Sequence, residues 1–233
     1  MKAMPSDAES LKVKSESVHR RLLAAYGEPG QSDPLPPLDQ LVGTILSQNT
    51  NDVNSGRAFE RLRQRFPRWE QVRDAPVEEL IEAIRPAGLA NQKAPRIQEA
   101  LARITEQRGE LSLDFLADLP LEEAREWLLN LDGVGPKTAA IVLLFSLGHP
   151  AFPVDTHVHR VSRRLGLIGE RTSAEQAHQV LEAQLPPEWY VALHLNMVRH
   201  GRQVCHARRP NCAACTLSDL CEFYLRQSGE VHQ

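Results

Sequence analysis

The stretch LDGVGPKTAAIVLLF, residues 131–145, places one primary amine, Lys137, where a Gly/Pro turn runs into a nearly pure apolar run. An unpaired ammonium is costly to bury, so the position asks for a use of either the charge or the amine. A second reactive set closes the chain. All four cysteines, Cys205, Cys212, Cys215 and Cys221, follow a C-x6-C-x2-C-x5-C pattern near the C-terminus. The chain reads as cytosolic, where structural disulfides are rare, so metal ligation leads. The C-x2-C pair lets two thiolates meet one metal centre, and the longer spacers let a loop wrap round with the others. Zinc is often held by two short C-x2-C knuckles, and only one is present. Wider, uneven spacing suits a cubane whose irons each take one cysteine, so a [4Fe–4S] cluster is expected ahead of zinc or of free thiols. The first inter-cysteine loop, HARRPN, sets Arg208 beside Arg209. Pinned by a cluster, two fixed guanidinium groups would suit phosphate oxygens; otherwise they are solvated loop residues.

Three loop types could use LDGVGPKTA. A nucleotide-binding P-loop needs glycine just before the lysine and a strand before the loop. Here Pro136 precedes Lys137, and the helical pattern PLEEAREWLLN precedes the turn. A dinucleotide fingerprint needs glycine where Thr138 stands, again after a strand. The reading that survives is helix, hairpin, helix. Gly133 and Gly135 let the backbone turn sharply and approach a ligand closely. Pro136 suits the first position of the next helix. The free amides of the turn and the positive helix end then form a small anion site, suited to one DNA phosphate.

The elements that must position these residues are helices. Apolar residues recur at three- and four-residue steps, as in Leu41, Val42, Ile45, Leu46, in Ala58, Phe59, Leu62, Phe66, and in Ile97, Ala100, Leu101, Ile104. Further helices are predicted over 11–26, 77–84, 121–129, 136–146, 158–165, 174–185 and 189–199. Strand signals are almost absent, and the Pro-rich segment 27–37 reads as a connection between two units. The 233 residues, 42% hydrophobic and 24% charged, are ordinary for a globular protein. No apolar run approaches the ~20 residues that span a bilayer, and the N-terminus lacks a signal core. The net charge of −3 argues against a generic nucleic-acid binder. The distribution is uneven, however: Arg160, Arg163, Arg164, Arg199, Arg202, Arg208 and Arg209 crowd the C-terminal third. A basic face on a mildly acidic protein can hold a phosphate backbone.

Residues 131–155, LDGVGPKTAAIVLLFSLGHPAFPVD, resemble the helix-hairpin-helix, Gly/Pro-rich loop and aspartate of a superfamily of DNA base-excision glycosylases. VDTHVHRVSRRLGL and the four-cysteine tail are similar to its endonuclease III branch, as are ILSQNTND (45–52) and GLANQKA (88–94). The resemblance covers about residues 38 to 223. It implies an enzyme that flips a damaged base out of duplex DNA and cuts its bond to the sugar.

Lys137 falls on the family's nucleophile position, where the amine attacks C1′, leaves a Schiff base and nicks the strand by β-elimination. Burial and the positive helix end would favour the neutral amine such a step needs. The other use of Lys137 is an interhelical or phosphate salt bridge. Asp155 falls on the catalytic aspartate, which would stabilise the developing positive sugar and shuttle protons. It also stands where an N-cap belongs. Leu89 matches the apolar wedge that plugs the opened stack, unless it folds onto the core. Either Gln48 or Asn49 would fill the gap from the other side. His157 would touch a phosphate or the base, or lie on a helix surface.

Neighbouring branches fit less well. Adenine-removing relatives place a glutamate in the helix before SQN, and LVGTILS has no acid; thymine-mismatch relatives carry tyrosine where Lys137 stands. The expectation is a cytoplasmic, nucleoid-associated, monomeric glycosylase with AP-lyase activity on oxidised pyrimidines, binding double-stranded DNA with damaged pyrimidines or abasic sites. The alternative is a non-catalytic or weakened DNA-binding paralogue with a structural cluster. The expected architecture is all-α. A six-helix barrel with the hairpin (39–150) and a cluster domain (1–38 with 151–233) would flank a DNA-binding cleft, with Lys137 and Asp155 facing each other across it.

Overall fold

The structure, a computed structural model, describes residues 7–30 and 33–229, and no strand occurs among them. The helices are α1 (Asp7–Tyr26), α2 (Pro37–Ser47), α3 (Asp52–Arg65), α4 (Trp69–Asp74), α5 (Val77–Ile84), α6 (Ala90–Arg108), α7 (Leu121–Leu129), α8 (Pro136–Leu147), α9 (Thr156–Leu165), α10 (Ala174–Gln184), α11 (Tyr190–Gln203) and α12 (Glu222–Ser228). The all-α expectation holds. Periodicity located α5 and α7 with the predicted bounds and missed α4 and α12, which are too short to show a repeat. No helix among the described residues is long and apolar enough to cross a membrane.

The chain forms two compact units, Asp33–His149, and Met1–Ser32 together with Pro150–Gln233. The first unit is organised round α2, which packs on α3, α6 and α8. Its Leu41, Val42, Ile45 and Leu46 are all buried. Each such side chain contributes about 1.5–3 kcal/mol by leaving water. Helix α8 answers with Ala139, Ala140, Val142 and Leu143, so the residue at its start, Lys137, rests on a rigid support. Gly148 ends α8 in the left-handed region, which a glycine enters without strain.

In the second unit α11 lies against both α1 and α9. A capping box starts α10, with Ser173 accepting from the Gln176 amide and the Gln176 side chain accepting from the Ser173 amide. Helix α1 also holds the cysteine-bearing tail. Arg21 donates to Asp219 at 2.8 Å and to the Thr216 carbonyl at 3.1 Å. The pair is exposed, so its value is geometric more than energetic. It fixes the segment between Cys215 and Cys221.

Candidate functional site

Helix α7 ends in a turn in which the Val134 amide donates to the Leu131 carbonyl at 3.1 Å. Gly133 adopts φ +79, and a Cβ there would lie 3.1 Å from the Arg96 side chain, so both conformation and space call for glycine. Gly135 differs. It is the extended N-cap of α8, a conformation any residue adopts. Nothing lies within 4 Å of where its Cβ would be, and the residue is exposed. The Lys137 and Thr138 amides have no intrahelical acceptor by position. Lys137 itself is half-buried at the second position of α8. It forms no ion pair within its unit, so the structural salt bridge is not its use there.

The SQN segment resolves into two roles. Gln48 donates to the Gly133 carbonyl at 3.2 Å, tying the end of α2 to the hairpin. Asn49 is exposed and left-handed at φ 53. Leu89 is left-handed too, at φ 51, and stays 47% exposed rather than folding onto the core. The third non-glycine residue with positive φ among those described is Arg209, at φ 53. Left-handed backbone costs a non-glycine residue about 1–2 kcal/mol. All three residues with that strain are among those the sequence singles out for DNA, and strain of this kind gathers at functional sites.

Asp155 caps α9. One carboxylate oxygen accepts from the His157 amide at 2.8 Å and the Val158 amide at 2.7 Å. The other oxygen has no partner within its unit among the described residues. The carboxylate therefore caps and keeps an oxygen in reserve. The His157 Nδ1 lies 3.0 Å from the Arg160 guanidinium. Arg160 goes on to donate to the Gly201 carbonyl at 2.9 Å and the Cys205 carbonyl at 3.0 Å. Gly201 allows this approach of α9 to α11, since a Cβ there would sit 2.8 Å from that of His157.

The four cysteines form no disulfide and line one hollow together with Arg164 and Phe223. Arg164 donates to the Cys205 sulfur at 3.2 Å and to the carbonyls of His206 and Ala207 at 2.7 and 3.1 Å. It thus pins the loop that presents the exposed Arg208 and Arg209. Arg160 and Arg164 are spent on this inner bonding, so they do not belong to the outward basic face that composition suggests. Burial pushes the Cys215 thiol up to about 11, and the other three cysteines push the same way. Four thiolates gathered here require bound positive charge. Among the described residues no three His, Cys, Asp or Glu side chains converge on one ion position.

Sequence reading overlooked Lys93, buried in α6, the bracing roles of Arg160 and Arg164, and His200, whose Nε2 lies 3.6 Å from the Cys215 sulfur. The signal for Lys93 was available: it lies on the apolar stripe that continues through Ile97, Ala100, Leu101 and Ile104.

A fold without strands among the described residues, with a lysine at the head of a hairpin helix and strained polar and apolar loop tips, is that of the helix-hairpin-helix base-excision proteins. Residues 42–187 match the HhH-GPD superfamily of base excision DNA repair proteins, and the chain belongs to it. The chain is 38% identical over 196 residues to endonuclease III of Thermotoga maritima, covering 84% of this chain and 87% of that one. It is 39% identical over 176 residues to the Arabidopsis thaliana protein At3g47830, of whose length the match spans 60%. The structure of a trapped endonuclease III–DNA covalent intermediate superposes with a TM-score of 0.81 at 28% identity, over 97% of this chain and all of that one. Within the superfamily, then, this is a member of the endonuclease III family of DNA glycosylases.

Proposed function

We propose that this DNA glycosylase/AP lyase removes oxidised pyrimidines from duplex DNA and nicks the strand through a Schiff base on Lys137. The observation that carries the reading is Lys137 itself, half-buried at the head of α8 without a carboxylate partner in its unit, beside helix-start amides that lack intrahelical acceptors. The neutral amine attacks C1′ as the glycosidic bond breaks and the base leaves with a proton. Loss of an amine proton and opening of the ring oxygen give the iminium. A proton then leaves C2′, the 3′ phosphate departs with the bonding electrons, and hydrolysis of the imine frees the amine. The unpartnered oxygen of Asp155 steadies the positive sugar and moves these protons. The reading requires Lys137 and Asp155 to serve one sugar. Borohydride added during turnover on an oxidised-pyrimidine duplex is expected to give a covalent protein–DNA adduct; no adduct would reject the lyase step.

Asn49 and Leu89 fill the gap left by the flipped nucleotide, and the tie of Gln48 to the hairpin supports Asn49 over Gln48 in that role. Leu89→Ala is expected to lower excision from duplex DNA by roughly 5- to 30-fold, the equivalent of about 1–2 kcal/mol of lost stacking. Trapping on a single-stranded abasic oligonucleotide, which has no gap to fill, should barely change. The protein acts as a monomer on chromosomal DNA, with His157 braced for a phosphate and Arg208 and Arg209 on the backbone.

Cys205, Cys212, Cys215 and Cys221 would hold a [4Fe–4S] cluster, which ties the tail together and supplies the positive charge the thiolates need. Cys215→Ser is expected to lose iron and the cluster's visible absorbance. It should also weaken duplex affinity about tenfold at moderate salt, through the loss of two or so ordered phosphate contacts. Undiminished iron content would reject Cys215 as a ligand.

A further inference from the structure

Lys93 is 2% exposed, and nothing in the chemistry above uses it. Its Nζ donates to the Leu46 carbonyl at 2.8 Å and to the Ala87 carbonyl at 2.9 Å. Leu46 lies in the last turn of α2, and Ala87 ends the short 3-10 turn Arg85–Ala87. Carbonyls at such ends lack intrahelical donors, and the negative end of the helix favours a cation. One ammonium therefore closes two helical segments that are far apart in sequence. The chain runs on from Leu46 to Asn49 and from Ala87 through Gly88 to Leu89, and Asn49 and Leu89 are both left-handed.

The choice of residue is itself informative. The position faces the core, where leucine or methionine would fill the same space without burying a charge. Burial lowers the pKa of Lys93, a cost an apolar residue would not meet. What only a lysine provides here is a pair of bonds that fix two loop origins to one point. We propose that Lys93 is a positioning residue for duplex penetration, setting in common register the two loops from which Asn49 and Leu89 enter the base stack. The inference rests on the reading that those two side chains fill the gap.

The test compares Lys93→Met, Leu89→Ala, Asn49→Ala and the Lys93→Met/Leu89→Ala double variant of the full chain. Three readouts are used: excision from an oxidised-pyrimidine duplex, fluorescence of a 2-aminopurine beside the lesion, and borohydride trapping on a single-stranded abasic oligonucleotide. Lys93→Met is expected to lose at least about tenfold in duplex kcat/KM together with the 2-aminopurine unstacking signal, while single-strand trapping stays within about twofold. Adding Leu89→Ala should cost no more than about twofold further, because both changes disable one device. Parallel losses on duplex and single strand, or multiplicative losses in the double variant, would show an ordinary core residue and overturn the proposal. Full duplex activity in Lys93→Met beside impaired Leu89→Ala and Asn49→Ala overturns it too, with the gap-filling reading intact. Full activity in both of those single variants sinks the gap-filling reading, and the proposal with it. Should Lys93→Met not fold, hydrogen exchange in the unaltered protein decides. The Gln48 and Gly88 amides, bonded to the Ile45 and Arg85 carbonyls at 3.2 and 3.1 Å, should exchange through one shared opening. Unrelated protection at the two amides overturns the proposal.

Discussion

Lys137→Gln is expected to abolish the borohydride adduct and to lower strand nicking at an abasic site by about 10³-fold or more, equivalent to at least ~4 kcal/mol of transition-state stabilisation. Glutamine is close to lysine in length and helix propensity, and the position is half-buried in the first turn of α8, so the fold should be kept. What is lost is the amine: an amide nitrogen cannot form an iminium with a sugar aldehyde. The apolar face of α8 still packs on α2, and the amides at the head of the helix are unaltered. Affinity for a duplex carrying a non-cleavable abasic analogue should therefore change by less than about threefold, since the loss of one cation contributes little at physiological salt. A cation that merely paired with DNA would show the reverse, with weakened binding and nearly unchanged chemistry per bound complex. Single-turnover nicking and equilibrium binding, measured on the same preparation, separate the two.

Asp155→Asn is expected to lower base excision by about 10²- to 10⁴-fold, the usual range for a lost acid–base or electrostatic group. Its melting temperature should stay close to that of the unaltered protein. Asp155 accepts two amide bonds through one oxygen, and asparagine caps a helix about as well as aspartate. The substitution thus removes the charge and leaves the cap. Asp155→Ala removes both, and should add a stability loss of about 0.5–2 kcal/mol. If Asp155 were a cap and nothing more, Asn would be nearly silent and Ala would lose activity only in proportion to unfolded protein. Thermal denaturation alongside single-turnover excision decides between them.

Local features of this chain were readable without coordinates. The helices, the Gly-Pro turn before Lys137, the cap position of Asp155 and the cysteine spacing all depend on residues a few places apart. The all-α architecture followed from the helical period alone. Gly133 was legible as a tight-turn residue because φ is a local property, whereas Gly135 proved to be extended and to matter only for the space beside it. The likeness to the endonuclease III family added roles that spacing could not supply.

Other assignments waited on contacts between distant segments. Gln48 and Asn49 are adjacent and chemically alike, and only the bond from Gln48 to the Gly133 carbonyl separates brace from exposed tip. Arg160 and Arg164 read as surface cations until the carbonyls and sulfur around Cys205 claimed them. Lys93 sits on an apolar stripe and makes sense only once Leu46, which is 47 residues away, and Ala87 are brought to its amine. Helical period and turn preference are carried by neighbouring residues along the chain, so a linear text records them. A hydrogen-bond partner for a buried or braced cation is chosen by where the backbone returns in space, and only the folded chain records that.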